Sequence, residues 1–208
     1  MLLSICNINL IYKKNLMLIC FICNIAVMKI QVFNGSPRKN GNCAFIIDNI
    51  ISKYINGNAV KEYHLNDLHY KGCQACYSCK NNDSFCVVKD DLHNILPTLT
   101  ETDLIILLTP NYYNFCSGQQ KLFLDRWFCL SNKKRYSKFT SGTKLFFIVT
   151  QGSPNSQYSQ GLVDWMKSFA LNYQLKFYGL IVPNCNTSNT DGARLKINDI
   201  LLHLNMFV

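Results

Sequence analysis

The chain is predicted to fold as an open, doubly wound α/β sandwich on a five-stranded parallel sheet. Three observations predict this. Apolar runs of strand length alternate with helically periodic segments along most of the 208 residues. Asp103 to Thr109 (DLIILLT) is an unbroken apolar run, the pattern of a central parallel strand covered on both faces. Met28 to Ala44 (MKIQVFNGSPRKNGNCA) passes from a short β-branched and aromatic run through a polar turn with Gly35, Pro37 and Gly41, and then into a helix start.

The elements follow in order. Lys29 to Phe33 is the first strand and Asn34 to Asn42 the turn. Cys43 to Ile55 is a helix with Ala44, Ile47, Ile51 and Tyr54 on one face, ended by Asn56-Gly57-Asn58. Val60 to Leu65 alternates apolar and polar, as suits an edge strand. Asp90 to Leu96 is a short helix with acidic residues at its start, expected to stop before Pro97. After the Asp103–Thr109 strand come the loop Pro110–Ser117 and a helix from Gly118 to Leu130. Lys144 to Thr150 is a strand, followed by the loop Gln151–Asn155 and a helix from Gln160 to Tyr173. Leu175 to Val182 is the fifth strand and Thr190 to Leu204 the last helix. Right-handed crossovers leave few topologies, and the strand order 2-1-3-4-5 brings three loops to one sheet edge: Asn34–Asn42, Pro110–Ser117 and Gln151–Asn155.

That edge reads as an anion site. The turn and the first N–H groups of the following helix point at one spot, and the helix dipole favours negative charge there. Ser36 adds a hydroxyl and Arg38 a guanidinium suited to phosphate. An ordinary βα loop is the plain alternative. A dinucleotide fingerprint is missing, because the glycines are Gly35 and Gly41 and strand two ends Tyr63-His64-Leu65 without an acidic residue. A Gly-Lys-Ser/Thr loop is missing too, so a mononucleotide with a terminal phosphate fits better. The second loop, Pro110-Asn111-Tyr112-Tyr113-Asn114-Phe115, supplies aromatic walls and amides able to read a heterocycle.

Of the eleven cysteines, four crowd into Cys73-x2-Cys76-x2-Cys79-x6-Cys86. Four thiolates so close in sequence suit a [4Fe–4S] cluster or a zinc ion better than a disulfide framework, and an unoccupied motif stays open beside them. The others, among them Cys43, Cys116, Cys129 and Cys185, read as small apolar residues of a reducing compartment, which places the protein in the cytoplasm. His64, His69, His93 and His203 lack ligand-spaced partners and read as packing or surface residues. Net charge is +9, with the densest basic cluster at Lys133, Lys134, Arg135 and Lys138. No groove-reading helix or base-stacking motif accompanies it, so a solvated loop is the simpler reading and a nucleic-acid partner is not expected.

The order and spacing of three blocks resemble the NAD(P)H-dependent FMN reductase family: Asn34-Gly-Ser-Pro-Arg-Lys-Asn-Gly-Asn; Gly72-Cys-Gln-Ala-Cys-Tyr-Ser-Cys with Cys86 and Asp90-Asp91; and Thr109-Pro-Asn-Tyr-Tyr-Asn with Ser117-Gly-Gln-Gln-Lys and Asp125-Arg126. The middle block resembles the iron–sulfur flavoprotein branch. The resemblance runs from Met28 to about Ile181 and implies a flavodoxin-like three-layer sandwich holding FMN noncovalently. It implies that Ser36, Arg38, Gly41, Asn42 and Cys43 hold the phosphate. Pro110, Asn111, Tyr112, Tyr113 and Asn114 would line the ring, with Gly152 closing the other side. Cys43 stands where the family often has Thr or Ser; a thiol is the weaker donor, which points to weaker FMN binding. Cys73, Cys76, Cys79 and Cys86 would hold the cluster.

The implied activity is transfer of electrons from NAD(P)H through flavin to an acceptor, with no side-chain acid or base required and with subunits paired as a homo-oligomer. An electron carrier fed by ferredoxin, without nicotinamide turnover, is the alternative. A zinc-dependent nucleic-acid binder is a third reading, from another class. Residues 1–27 form an N-terminal extension whose Lys13-Lys14 and apolar run to Val27 have the order of a signal segment, without a clear cleavage site and too short for a comfortable membrane span. The expected working domain is 28–208, with a cysteine-rich insertion at 72–89 and no stable membrane association.

Overall fold

β-branched and aromatic residues in short apolar runs favour the pleated backbone, and here they form strands covered on both faces. In the computed structural model, which describes residues 27–186 and 190–208, these strands are β1 (Lys29–Asn34), β2 (Ala59–His64), β3 (Leu104–Pro110), β4 (Lys144–Thr150) and β5 (Lys176–Val182). All pair in parallel, in the order β2-β1-β3-β4-β5, so the expected topology stands. The leader expected at residues 1–27 lies, but for Val27, outside the described residues.

Alternation along the strands sorts side chains into two cores. Ile30, Val32, Ile106, Leu108 and Ile148 face helices α1 (Asn42–Tyr54) and α6 (Asp191–Phe207). Phe33, Ile105, Leu107, Phe147 and Val149 face α3 (Leu92–Leu99), α4 (Gly118–Arg126) and α5 (Gln157–Asn172). A one-turn helix, α2 (Ser78–Asn81), lies inside the cysteine segment, where no element was expected.

Several helix ends differ from the sequence reading: α5 begins at Gln157 rather than Gln160, α6 runs to Phe207 rather than Leu204, and two further ends are set by packing. α3 runs through Pro97 to Leu99 instead of stopping before it. An interior proline costs roughly 3 kcal/mol, whereas each fully buried leucine or isoleucine returns about 1.5–3 kcal/mol. Leu92, Ile95, Leu96 and Leu99 are all buried, and Leu99 is reached only if the helix continues. The predicted helix from Gly118 to Leu130 instead tightens after Arg126 into a 3₁₀ turn, Trp127–Leu130. That turn brings Trp127 against Phe123, Phe139, Phe169 and Tyr173.

The last residue of α4 anchors the cysteine segment. Arg126 Nη1 donates to the Lys71 carbonyl at 2.8 Å and to Asp90 Oδ2 at 2.6 Å, and Nη2 donates to Asp90 Oδ1 at 3.2 Å. Lys71 N–H donates to the same carboxylate, and His69 N–H to Asp91 Oδ2 at 2.6 Å. Both ends of the 72–89 excursion are thereby pinned at one point. Desolvation alone would raise the Asp90 carboxyl, but the Arg126 and Lys71 hydrogen bonds and the guanidinium charge outweigh it and hold it below its ordinary value.

Two predictions follow from this packing. Ile106→Ala, in the centre of the sheet, should lower unfolding stability in urea by about 2–5 kcal/mol, while Leu195→Ala, at an exposed position, should change it by less than about 0.5 kcal/mol. Asp90→Asn leaves the Arg126 charge buried and unpaired, and should cost about 3–5 kcal/mol. In the parent protein the Asp90 contribution is present above the ordinary carboxylate pKa and fades as pH falls through the depressed one. Acid unfolding of the Asn variant should lack that component.

Candidate functional site

The first loop is shaped before any ligand contacts it. Asn34 ends β1, and its Oδ1 accepts from Ser36 N–H at 2.9 Å, an Asx-type turn. Ser36 Oγ in turn accepts from Arg38 N–H at 3.2 Å. With Asn34 Oδ1 occupied, its Nδ2 donates to His64 Nδ1 at 3.2 Å. His64 Nε2 then carries the proton and donates to Glu62 Oε1 at 2.7 Å. A carboxylate–imidazole–amide chain therefore orients the turn. The sequence reading missed His64, because its partners sit two residues back on β2 and across a strand pair.

Gly35 is required by close approach. Its N–H donates to Leu108 O at 2.8 Å, and a Cβ there would lie 2.3 Å from Gln120 Oε1. Ser117 caps α4, accepting from Gln120 N–H at 3.2 Å while donating to Gly35 O at 2.6 Å. The first loop is thus tied to the end of β3 and the start of α4.

The predicted phosphate residues divide. Ser36 is buried in the turn, Arg38 is exposed beside it, and Gly41 precedes the first turn of α1. Asn42 and Cys43 turn their side chains away from the turn. Asn42 Oδ1 accepts from Ala193 N–H at 3.0 Å, at the start of α6. The Cys43 thiol lies 3.4 Å from Thr150 Oγ1 at the end of β4, and burial pushes it up to about 11. What Cys43 can offer an anion is its backbone N–H at the helix N-terminus.

The second loop closes in a tight turn: Tyr112 and Phe115 exchange backbone hydrogen bonds at 2.8 and 3.1 Å. Tyr113 and Asn114 both take positive φ, 52° and 64°, as in a type I′ turn, and neither is glycine. The Tyr113 ring is consequently fully exposed, with Tyr112 exposed beside it. Phe115 folds back against Trp165. Asn111 N–H donates to Thr150 O at 2.7 Å and its Nδ2 to Ser159 Oγ at 2.7 Å, so the amide is locked with Oδ1 buried. Gly152, in the third loop, is approached by Asn186, whose Cβ would be 3.0 Å from an added Cβ. Gln151 Nε2 holds the Ser153 and Asn155 carbonyls.

The three loops therefore do meet at the carboxyl edge of the paired strands β1, β3 and β4. Buried polar atoms without a partner among the described residues gather here too: Asn111 Oδ1, both amide atoms of Gln120 and Gln151 Oε1. Such groups are costly unless something polar satisfies them.

On the α4 side of the same sheet, Cys73, Cys76, Cys79 and Cys86 line one cavity together with Arg126, Phe128 and Cys129. Cys73 and Cys76 are exposed at its rim, and Cys79 is buried. A hydrogen bond from the Ser78 backbone lowers the Cys76 thiol, whereas desolvation raises Cys79 and pushes Cys129 up to about 11. Ala75, Tyr77 and Asp83 hold positive φ without being glycine, so the segment bends sharply around the cavity. Lys80, next to Cys79, donates to the Phe128 carbonyl and to the Ser131 carbonyl and hydroxyl, fastening the segment to the turn after α4. Among the described residues no three His, Cys, Asp or Glu side chains close on a single ion position. A zinc site would need sulfurs within about 3.8 Å of one another, given Zn–S bonds of about 2.3 Å. These thiols line one cavity without closing on a single point. No helix among the described residues is long and apolar enough to cross a membrane.

A family model described as NADPH-dependent FMN reductase matches residues 28–179. An iron–sulfur flavoprotein of Archaeoglobus fulgidus is 32% identical over 131 residues, covering 62% of this chain and 61% of that protein. An iron–sulfur flavoprotein of Methanosarcina thermophila is 30% identical over 140 residues, covering 67% of this chain and 73% of that protein. Among solved structures, an FMN-dependent NADH-azoreductase from Bacillus anthracis in complex with FMN superposes with a TM-score of 0.64 at 10% identity, over 85% of this chain and 99% of that one, a likeness of fold. The family match spans the first strand, the phosphate-type turn, the cysteine segment and the aromatic loop, and on it this chain belongs to the NADPH-dependent FMN reductase family.

Proposed function

We propose that the chain is an FMN-dependent oxidoreductase that passes electrons from NAD(P)H to an acceptor, with residues 28–208 as the FMN-binding domain and 72–89 as its cysteine-rich insertion. The observation that carries this reading is the sheet edge itself: three loops, a pre-shaped anion turn and a group of unpartnered buried amides meet there. Ser36, Arg38, Gly41 and the backbone N–H groups of Asn42 and Cys43 would hold the phosphate. The loop from Pro110 through Asn111, Tyr112, Tyr113 and Asn114 would line the ring, with Gly152 on the far side. Bound there, the flavin supplies both hydride-level and one-electron redox chemistry.

The protein's part is to bind and orient. Asn34, His64 and Glu62 fix the turn, and Asn111 and Gln151 are held rigid by α5 and by the third loop. Tyr113 offers a flat, exposed face at the loop tip, suited to cover from a nicotinamide or from a second subunit of a homo-oligomer.

We assign a [4Fe–4S] cluster rather than a single ion to the thiol cavity, because a compact run of four cysteines lines it and no three ligand side chains among the described residues close on one ion position. Cys73, Cys76, Cys79 and Cys86 would hold it, and it would supply one-electron transfer. The free thiols of the described cysteines suit a reducing cytoplasm. A carrier fed by ferredoxin is favoured by one feature: Lys138 packs over Phe85 and Arg135 over Phe128, setting a basic loop beside the cysteine cavity, where an acidic protein would be drawn.

Stopped-flow mixing with NADH and with NADPH should bleach the flavin band within seconds; a flavin that stays oxidised with both would sink the reductase reading in favour of the carrier. In FMN titrations of the apoprotein, Ser36→Ala should weaken binding about tenfold or more, as expected for a lost hydrogen bond to a charged group. Cys43→Ser should stay within about threefold of the parent, since its side chain faces Thr150 and not the turn.

A further inference from the structure

We propose that Cys129 is a fifth, ligand-competent thiol of the cysteine cavity, able to take the place of Cys86. The inference rests on the cluster reading given above and goes beyond it.

In sequence Cys129 stands 43 positions after Cys86 and looks like one more small apolar residue. In the fold it is brought back by α4 and the 3₁₀ turn, and it lines the same cavity as the four clustered cysteines. The four come from one excursion, and in it Cys86 lies against Arg126 and Cys129. Arg126, Phe128 and Cys129, from α4 and the turn after it, form a second wall of the same cavity, and among those residues the thiol of Cys129 is the group able to bind iron. A cubane takes four cysteine thiolates, so a fifth thiol lining the same cavity beside one of them is a spare ligand.

The two walls are fixed relative to each other. Arg126 clamps the base of the excursion at Lys71 and Asp90, and Lys80 ties its middle to Phe128 and Ser131, on either side of Cys129. Cys129 is therefore held at constant reach of the cavity rather than brought there by chance motion. Cys86 is the partner it replaces, because the Cys129 thiol lies against the Cys86 backbone N–H, and Cys86 follows the longest gap of the motif, six residues.

The exchange balances simply. One iron–sulfur bond to Cys86 is replaced by one to Cys129. Cys129 gives up its thiol proton and the released Cys86 sulfur takes one, so charge is conserved and nothing is oxidised or reduced.

The test measures iron, acid-labile sulfide and FMN per chain after anaerobic purification of the full-length parent, Cys86→Ala, Cys129→Ala and the double variant. Expected are about four irons in the parent and in Cys129→Ala, at least about half of that in Cys86→Ala, and less than about a tenth in the double variant. FMN content and thermal melting report folding, and the near-isosteric Cys129→Val repeats the set if the alanine variant melts early. A Cys86→Ala protein as empty as the double variant overturns the inference while leaving the cluster reading intact. Loss of iron in Cys129→Ala alone also overturns it, by making Cys129 obligatory. A parent protein without iron and sulfide overturns both readings together.

Discussion

The buried ion pair between Arg126 and Asp90 is the interaction on which the unusual half of this molecule depends. A segment of eighteen residues, 72–89, leaves the sheet after β2 with little regular structure and with three non-glycine residues at positive φ. Such an excursion buries too little apolar surface to order itself. It is ordered because Arg126 gathers its two ends, and because Lys80 donates into the turn behind α4. A buried pair of this kind brings little net stability over an apolar replacement, but it is costly to break. Its value here is positional, since the segment it anchors lines one cavity with four thiols.

Helix α4 joins the two sites. Its first turn supports the anion-type turn, through Ser117 and Gly35 and through the contact of Gln120 beneath the glycine. Its last turn supports the cysteine cavity through Arg126, and the 3₁₀ turn that follows adds Cys129. The helix has nine residues, so the rise along it is about 13 Å at 1.5 Å per residue. That is short enough for one rigid element to keep both sites in a constant relation.

Much of the fold was legible in the chain. Five apolar runs of strand length, split by helical periodicity, give the strand order once crossovers are right-handed, and every strand appears within a residue or two of its expected place. Two of the misjudged ends, at Pro97 and Arg126, are cases where burial overrode local signals: Leu99 carries the helix past a proline, and Trp127 draws the chain out of regular helix into an aromatic cluster. The turns at Asn34–Asn42 and Pro110–Ser117 were legible as turns because glycine, proline and amide residues mark them by their own chemistry. Cys43 shows the limit of that reasoning, since a residue at the right position points its thiol at Thr150.

The sequence by itself determined the fold class, the sheet edge that carries the loops and the compact thiol motif, because these rest on periodicity and on neighbours close in the chain. Tertiary structure alone decided the rest. The pairing of β1 with β2 sets Asn34 opposite His64 and turns a histidine without sequence partners into the brace of the turn. The return of α4 over the excursion turns Cys129 from core filler into a wall of the thiol cavity. Both depend on side chains far apart in sequence meeting at fixed distance, which no local pattern records.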